Sequence, residues 1–110
     1  MNLPGFDQIL KQAQAMGEQM MRLREELARE TLEGSAGGGM VVVKANGQGS
    51  ILSVGIDPAL AKPEELEMLQ DLVTAAVNVA LSKAKELAAD KTRSLTGGMP
   101  LPAGFEGLFS

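Results

Sequence analysis

The sequence contains no cysteine, histidine, tryptophan or tyrosine, and phenylalanine occurs only three times. Without cysteine there is neither a disulfide nor a thiolate metal site, and without histidine the commonest general base and zinc ligand is missing. The carboxylates lie at helix-surface spacings, which are typical of solvated charge. We therefore expect a protein that is not an enzyme and that uses no metal, cofactor or small-molecule substrate.

Long apolar runs are also missing. The longest, Leu72 to Leu81, is interrupted by Thr74 and Asn78 and is shorter than the ~18 residues that a membrane-spanning helix needs. The first residues show no basic region followed by an apolar stretch, so we expect no secretory signal, no membrane partner and a cytoplasmic location. A length of 110 residues with 45% hydrophobic residues fits one folded domain.

A long helix is predicted from Phe6 to Glu30. Its apolar residues recur at alternating steps of three and four, which is the a/d spacing of a heptad. A stripe this narrow suits packing on one partner helix, so we predict a seam of dimer or core contacts. The seam residues are Phe6, Ile9, Ala13, Met16, Met20, Leu23 and Leu27.

A small antiparallel sheet of two to three strands is predicted to follow. Thr31 to Ala36 is a candidate edge strand, and the glycines at 37 to 39 separate it from the β-branched run Met40 to Ala45. The returning strand runs from Ser50 to Ile56, after a turn centred on Asn46-Gly47 or on Gly47-Gln48. In either register one face is the same and is apolar: Val41, Val43 and Ala45 with Leu52, Val54 and Ile56.

A second long helix is predicted from Pro63 to about Arg93, with proline and two glutamates suited to its first turn. Two helices of this length, ~40 Å, overhang a sheet of three short strands. The sequence therefore predicts an α+β fold that needs a second subunit, with one domain over residues 1–93. A flexible glycine- and proline-rich tail is predicted over residues 94–110, with four candidate docking residues: Leu101, Phe105, Leu108 and Phe109.

The net charge of −4 opposes a general attraction to nucleic acid. The basic residues of the two helices have two interpretations. In the first, they form salt bridges with glutamates four residues away and complement the negative helix ends; in the second, they contact DNA phosphates. In a dimer each basic cluster is duplicated, so phosphate contact at two places on a duplex is expected to be salt-sensitive and weakly sequence-specific. The candidate DNA-binding residues are Lys11, Arg22, Arg24, Arg29, Lys83, Lys85, Lys91 and Arg93.

Several stretches in a fixed order resemble the YbaB/EbfC family of bacterial nucleoid-associated proteins. They begin with Leu3-Pro4-Gly5-Phe6 and extend over nearly the whole chain. The other matching stretches are residues 10–16 in the first helix, the glycine-rich turn with residues 40–43, residues 54–60, residues 67–78 in the second helix, and residues 95–99 and 101–105 in the tail.

The resemblance implies an intertwined, tweezer-like homodimer whose two long helices contact duplex DNA with little sequence preference. It also implies a place in the nucleoid and roles in nucleoid organisation and gene regulation. Of the candidate residues, Lys11 lies in a family-typical stretch, and the other seven are predicted from their charge. The alternative is an adaptor or holdase dimer without DNA binding, since heptad helices and spaced phenylalanines also suit protein partners.

Overall fold

The structure is a computed structural model that describes residues 5–95. Two helices flank an antiparallel sheet, and two single 3₁₀ turns (Pro58–Leu60 and Pro63–Glu65) lead into the second helix. The elements are α1 (Phe6–Arg29), β1 (Thr31–Ala36), β2 (Val41–Asn46), β3 (Ile51–Ile56) and α2 (Leu66–Leu95). The predicted α+β architecture is confirmed. The end of α2 lies two residues inside the predicted tail, whose docking residues lie outside the described part of the chain.

Only the C-terminal third of α1 packs on the rest of the chain. Of the seven predicted seam residues, Leu23 and Leu27 are buried, at 7% exposure each, and Met20 is half-buried. The other four are exposed: Phe6, Ile9, Ala13 and Met16. The heptad pattern thus predicted the helix, but within one chain it provides core contacts only near its end.

The sheet has the order β1-β2-β3, with both pairs antiparallel. The turn between β2 and β3 is centred on Gly47 and Gln48, the second of the two predicted positions, since the amide of Gly49 donates to the carbonyl of Asn46 at 3.0 Å. Gly49 has a φ of +85°. It is therefore the residue in left-handed conformation that a three-residue hairpin loop requires. Asn46 stabilises the loop, because its Oδ1 accepts from the amides of Gln48 and Ser50, each at 3.0 Å.

The predicted shared face holds for two pairs of strand residues and fails for the third. Val41 lies opposite Ile56 and Val43 opposite Val54, but Ala45 lies opposite Ile51 because the register shifts between Lys44 and Ala45. Ala45 therefore does not lie opposite a residue of the predicted Leu52, Val54 and Ile56 face. The cause is a β-bulge, which places one extra residue in β3 and which the alternation of apolar residues does not encode.

The core lies between α2 and the first two strands. Val41, Val43, Ala45, Leu60, Ala76 and Ala80 are all at most 1% exposed. Small residues let the helix approach closely: a Cβ built on Gly34 of β1 would lie 2.3 Å from the carbonyl oxygen of Ala76. Leu60, from the first 3₁₀ turn, joins the same cluster.

The third strand is left uncovered, because α2 lies over β1 and β2. Leu52, Val54 and Ile56 are 55%, 45% and 43% exposed. We call these three side chains the β3 apolar face. The chain is also elongated, 72 × 24 × 22 Å with a radius of gyration of 19.9 Å, whereas a compact domain of this length has a radius of about 13 Å. Much apolar surface therefore stays outside the core.

Candidate nucleic-acid interface

The C-terminal halves of α1 and α2 lie side by side and hold most of the candidate basic residues. Lys91 Nζ of α2 lies 3.5 Å from Glu26 Oε2 and 4.0 Å from Glu30 Oε1, at the end of α1. The hairpin tip fixes α1 from the other side, since the amide of Gly47 donates to the Leu27 carbonyl at 2.7 Å. Gln48 Nε2 donates to the Arg24 carbonyl at 2.9 Å. These contacts set the positions from which the basic side chains project.

One groove between the helices, groove A, has a volume of about 420 Å³. Arg22 of α1 and Lys91 of α2 both line it, although they are far apart in the sequence. Glu26 lines it too and is paired with Lys91. The charge of Lys91 is therefore largely balanced within the chain, which leaves Arg22 as the cation of groove A.

A second groove, groove B, lies between α1, the hairpin tip and α2 and has a volume of about 520 Å³. Arg24 and Lys85 line it, above apolar side chains that include Leu27 and Leu81. Among the described residues that line groove B there is no acidic side chain. Two cations without a local counter-charge are the arrangement that attracts an anionic partner.

A third group of cations follows the outer face of α1. At 3.6 residues per turn, Lys11, Arg22 and Arg29 point within about 20° of one direction, roughly opposite the buried Leu27. Within residues 5–95, none of the three forms an ion pair of 4.0 Å or less. The salt bridges that the first interpretation of the basic residues predicts, from Glu18 to Arg22 and from Glu25 to Arg29, are not formed. The three basic groups remain exposed.

The remaining candidates are engaged within the chain. Lys83 Nζ donates to the Glu33 carbonyl at 2.8 Å, which fixes α2 to β1. Arg93 forms an ion pair with Asp90, one turn earlier on the same helix. The fold thus separates the eight predicted residues into three that make these internal contacts, namely Lys83, Lys91 and Arg93, and five that present their charge to solvent.

A separate cluster of acidic residues lies near the other end of α2. Glu64 and Glu65 lie in the 3₁₀ turn before α2, and Glu67 and Asp71 lie in its first two turns. The 30-residue helix places its two ends about 45 Å apart. Because exposed charges more than about 10 Å apart are largely screened at physiological salt, this acidic end does not cancel the field at the grooves. A net charge of −4 is therefore compatible with a local basic surface.

Sequence reasoning missed the β3 apolar face as an interface candidate. All of the predicted seam residues lie on α1. The sequence shows that β3 has an apolar face. It does not show that α2 packs on β1 and β2 and leaves that face exposed. Lys44, exposed on β2, is a further basic residue that the helix-based selection left out.

Residues 5–95 contain neither a membrane-spanning helix nor a metal-binding cluster. No helix of this part of the chain is long and apolar enough to cross a membrane. No group of three or more potential ligand residues there is arranged to hold a metal ion.

The chain is therefore a small α+β protein with exposed cations where its two long helices lie together. Comparison with known proteins identifies the family. The chain belongs to the YbaB/EbfC DNA-binding family, whose model matches residues 1–99. This is a family of DNA-binding proteins and not of enzymes.

The curated relatives are bacterial. A nucleoid-associated protein of Desulfotalea psychrophila is 50% identical over 97 residues, covering 88% of this chain and 92% of the relative. One of Clostridium novyi is 46% identical over 100 residues, covering 91% and 88%. The crystal structure of an uncharacterized Helicobacter pylori protein has the same fold, with a TM-score of 0.77 and 25% identity over 87% of this chain and 98% of that one.

Proposed function

We propose that this protein is a cytoplasmic, nucleoid-associated protein that binds duplex DNA as a homodimer with little sequence specificity. Binding alters the conformation of the DNA, and through this the protein contributes to nucleoid organisation and gene regulation. The observation that carries the proposal is the set of five solvent-facing cations on α1 and α2, above all Arg24 and Lys85 in groove B. Membership of a DNA-binding family supports the same conclusion.

Low specificity is expected from the kind of contact these residues make. Lys and Arg on exposed helix surfaces bind phosphate oxygens, and such contacts carry no sequence information of their own. Aromatic side chains for stacking on unpaired bases are scarce, with three phenylalanines in the whole sequence, so duplex DNA is favoured over single strands.

Dimerisation is supported by the β3 apolar face. Val54 and Ile56 lie opposite Val43 and Val41 and so continue the face that α2 covers on β2. A second copy would complete the same apolar layer. Burying this surface gains free energy at about 25 cal/mol per Å². In the dimer each basic surface is present twice, and two contacts on one duplex provide the means to bend it.

A titration with unrelated duplexes tests the DNA-binding proposal. Fluorescence anisotropy of two labelled duplexes of different sequence and equal length, at about 50 mM salt, should give affinities within a few-fold of each other. A single-stranded oligonucleotide should bind more weakly. If the anisotropy of neither duplex rises when protein is added, the DNA-binding proposal is wrong.

The alternative, an adaptor or holdase dimer, is favoured by the exposed apolar part of α1. It predicts that a pull-down after nuclease treatment retains one stoichiometric protein partner. DNA binding predicts instead that nuclease removes most of the captured protein.

A further inference from the structure

Groove B combines two exposed cations with an apolar wall. Leu27, Leu81 and Ala88 form part of that wall, and Arg24 and Lys85 are the charged residues of the groove. Both cations are exposed, and within residues 5–95 neither forms an ion pair of 4.0 Å or less. Phosphate contacts account for the two cations but not for the apolar wall beneath them. The groove therefore fits a ligand that carries an apolar side chain with carboxylates around it.

The first turns of α2, with the 3₁₀ turn before them, present such a surface. Met68 is 50% exposed, and Asp71 follows it by three residues, which is the spacing of neighbours on a helix surface. Glu67 precedes it directly, and Glu64 lies in the 3₁₀ turn. The three carboxylates are exposed, and within residues 5–95 none is in an ion pair of 4.0 Å or less. We call these four side chains the acidic face.

Groove B and the acidic face cannot meet within one chain. Asp71 and Lys85 both lie on α2, and at 1.5 Å per residue they are about 21 Å apart along its axis. That separation is beyond the reach of an ion pair and is about twice the screening length at physiological salt. A contact between the two surfaces therefore needs a second copy. Since the two surfaces are different, the contact is heterologous and is repeated from copy to copy.

We propose that groove B binds the acidic face of a second copy of this chain. Met68 packs on the apolar wall, and the carboxylates of the acidic face lie beside Arg24 and Lys85. This inference goes beyond the proposed function, which gives groove B no protein ligand. One apolar side chain and a few exposed charge pairs make a weak contact that salt reverses.

The contact has two consequences for the molecule. It leaves the β3 apolar face free, so it joins dimers into larger assemblies without replacing the dimer interface. It also uses the cations that duplex DNA needs, so DNA and the acidic face exclude each other at groove B. Assembly is therefore favoured where DNA is absent.

Sedimentation velocity without DNA measures the contact directly. At about 50 mM salt, the weight-average sedimentation coefficient of the wild type should rise with protein concentration beyond that of the dimer. At about 500 mM salt it should stay at the dimer value, since screening weakens the charge pairs. Association through the β3 apolar face contains no charge pair and persists at high salt, which separates the two interfaces.

Charge reversal on either surface tests the pairing. Asp71→Lys and Lys85→Glu should each raise the dissociation constant of the salt-sensitive association at least about tenfold, because like charges then face each other. The double variant with both changes should recover the association, since opposite charges meet again. Met68→Gln should weaken it without a change in charge. Glu18→Lys, on α1 and outside groove B, is the matched control for net charge and should associate like the wild type.

Three results would overturn the proposal. They are no association beyond the dimer at about 50 mM salt, an association that survives both single reversals, and a double variant that stays as dissociated as the single ones. Circular dichroism shows that each variant is folded before it is compared. Because no DNA is present, failure here leaves the DNA-binding proposal intact, and a failed duplex titration leaves this result intact.

Discussion

At the scale of single residues, glycines determine how closely the helices approach the sheet. A Cβ at Gly34 would lie 2.3 Å from Ala76 O and 2.5 Å from Ala80 N, and one at Gly47 would lie 2.7 Å from Leu27 O. All three neighbours are backbone atoms, which cannot rotate away. The sequence marks both positions only as glycines in or near strands, so these contacts could not be predicted from it.

Gly34→Ala should destabilise the protein, since α2 must move off β1 to admit the methyl group. We expect a loss of about 1–3 kcal/mol or more in the free energy of unfolding, as for overpacked cores. Gly17→Ala is the matched control: nothing lies within 4 Å of its Cβ position, and the change should stabilise α1 by up to about 1 kcal/mol. Urea denaturation followed by circular dichroism measures both. Equal stability of the two variants would contradict the close approach.

Groove B gives a prediction about single cations. Arg24→Ala and Lys85→Ala should each weaken duplex binding and lower the slope of log affinity against log salt by about 2, because each change removes one phosphate contact from both subunits of the dimer. Lys62→Ala, at the acidic start of α2, is the control for net charge and should change neither quantity. If all three variants bind alike, the contacts are not localised at groove B.

At the scale of elements, periodicity predicted most of the fold. The predicted bounds of α1 and β1 agree with the structure to within one residue, and the end of α2 to within two. Hydrophobic spacing determines these elements locally. The bulge in β3, the 3₁₀ turn at Pro63–Glu65 and the partial coverage of the sheet depend on tertiary packing, which one sequence does not reveal.

The same limit applies to the candidate site. The sequence selected eight cations on the two helices, but it could not show that Lys91 pairs with Glu26 or that Lys83 binds a strand carbonyl. Those contacts depend on how α1 crosses α2. Leu23, predicted in the seam, is buried within the chain, so a charge there would disturb the docking of α1 itself and is a poor test of dimerisation.

A better test of the dimer lies on β3. Wild-type protein should sediment as a dimer, and Val54→Asp should shift it to monomer, because the carboxylate would be buried without a partner at a cost of several kcal/mol. Ser53→Asp, one residue away on the opposite face of β3, is the matched control and should stay dimeric. If the Val54→Asp protein is still a dimer with unchanged dimerisation affinity, the interface lies elsewhere.

At the scale of the whole molecule, the distribution of charge matters more than its sum. The acidic start of α2 and the basic region beside groove B are separated by most of a 30-residue helix. We therefore expect an anionic partner at groove B and not at the start of α2. A net charge of −4 limits non-specific association elsewhere on the surface.

The salt dependence of duplex binding tests the central claim, that exposed cations on α1 and α2 bind DNA phosphates. A dimer that neutralises about four phosphates should lose roughly a hundredfold in affinity between about 50 and about 200 mM salt, because each contact contributes about 0.9 to the slope. The measurement is an anisotropy titration of one duplex at several salt concentrations. A steep linear fall is the predicted result. Binding whose strength does not change with salt, or no binding at low salt, would contradict the account.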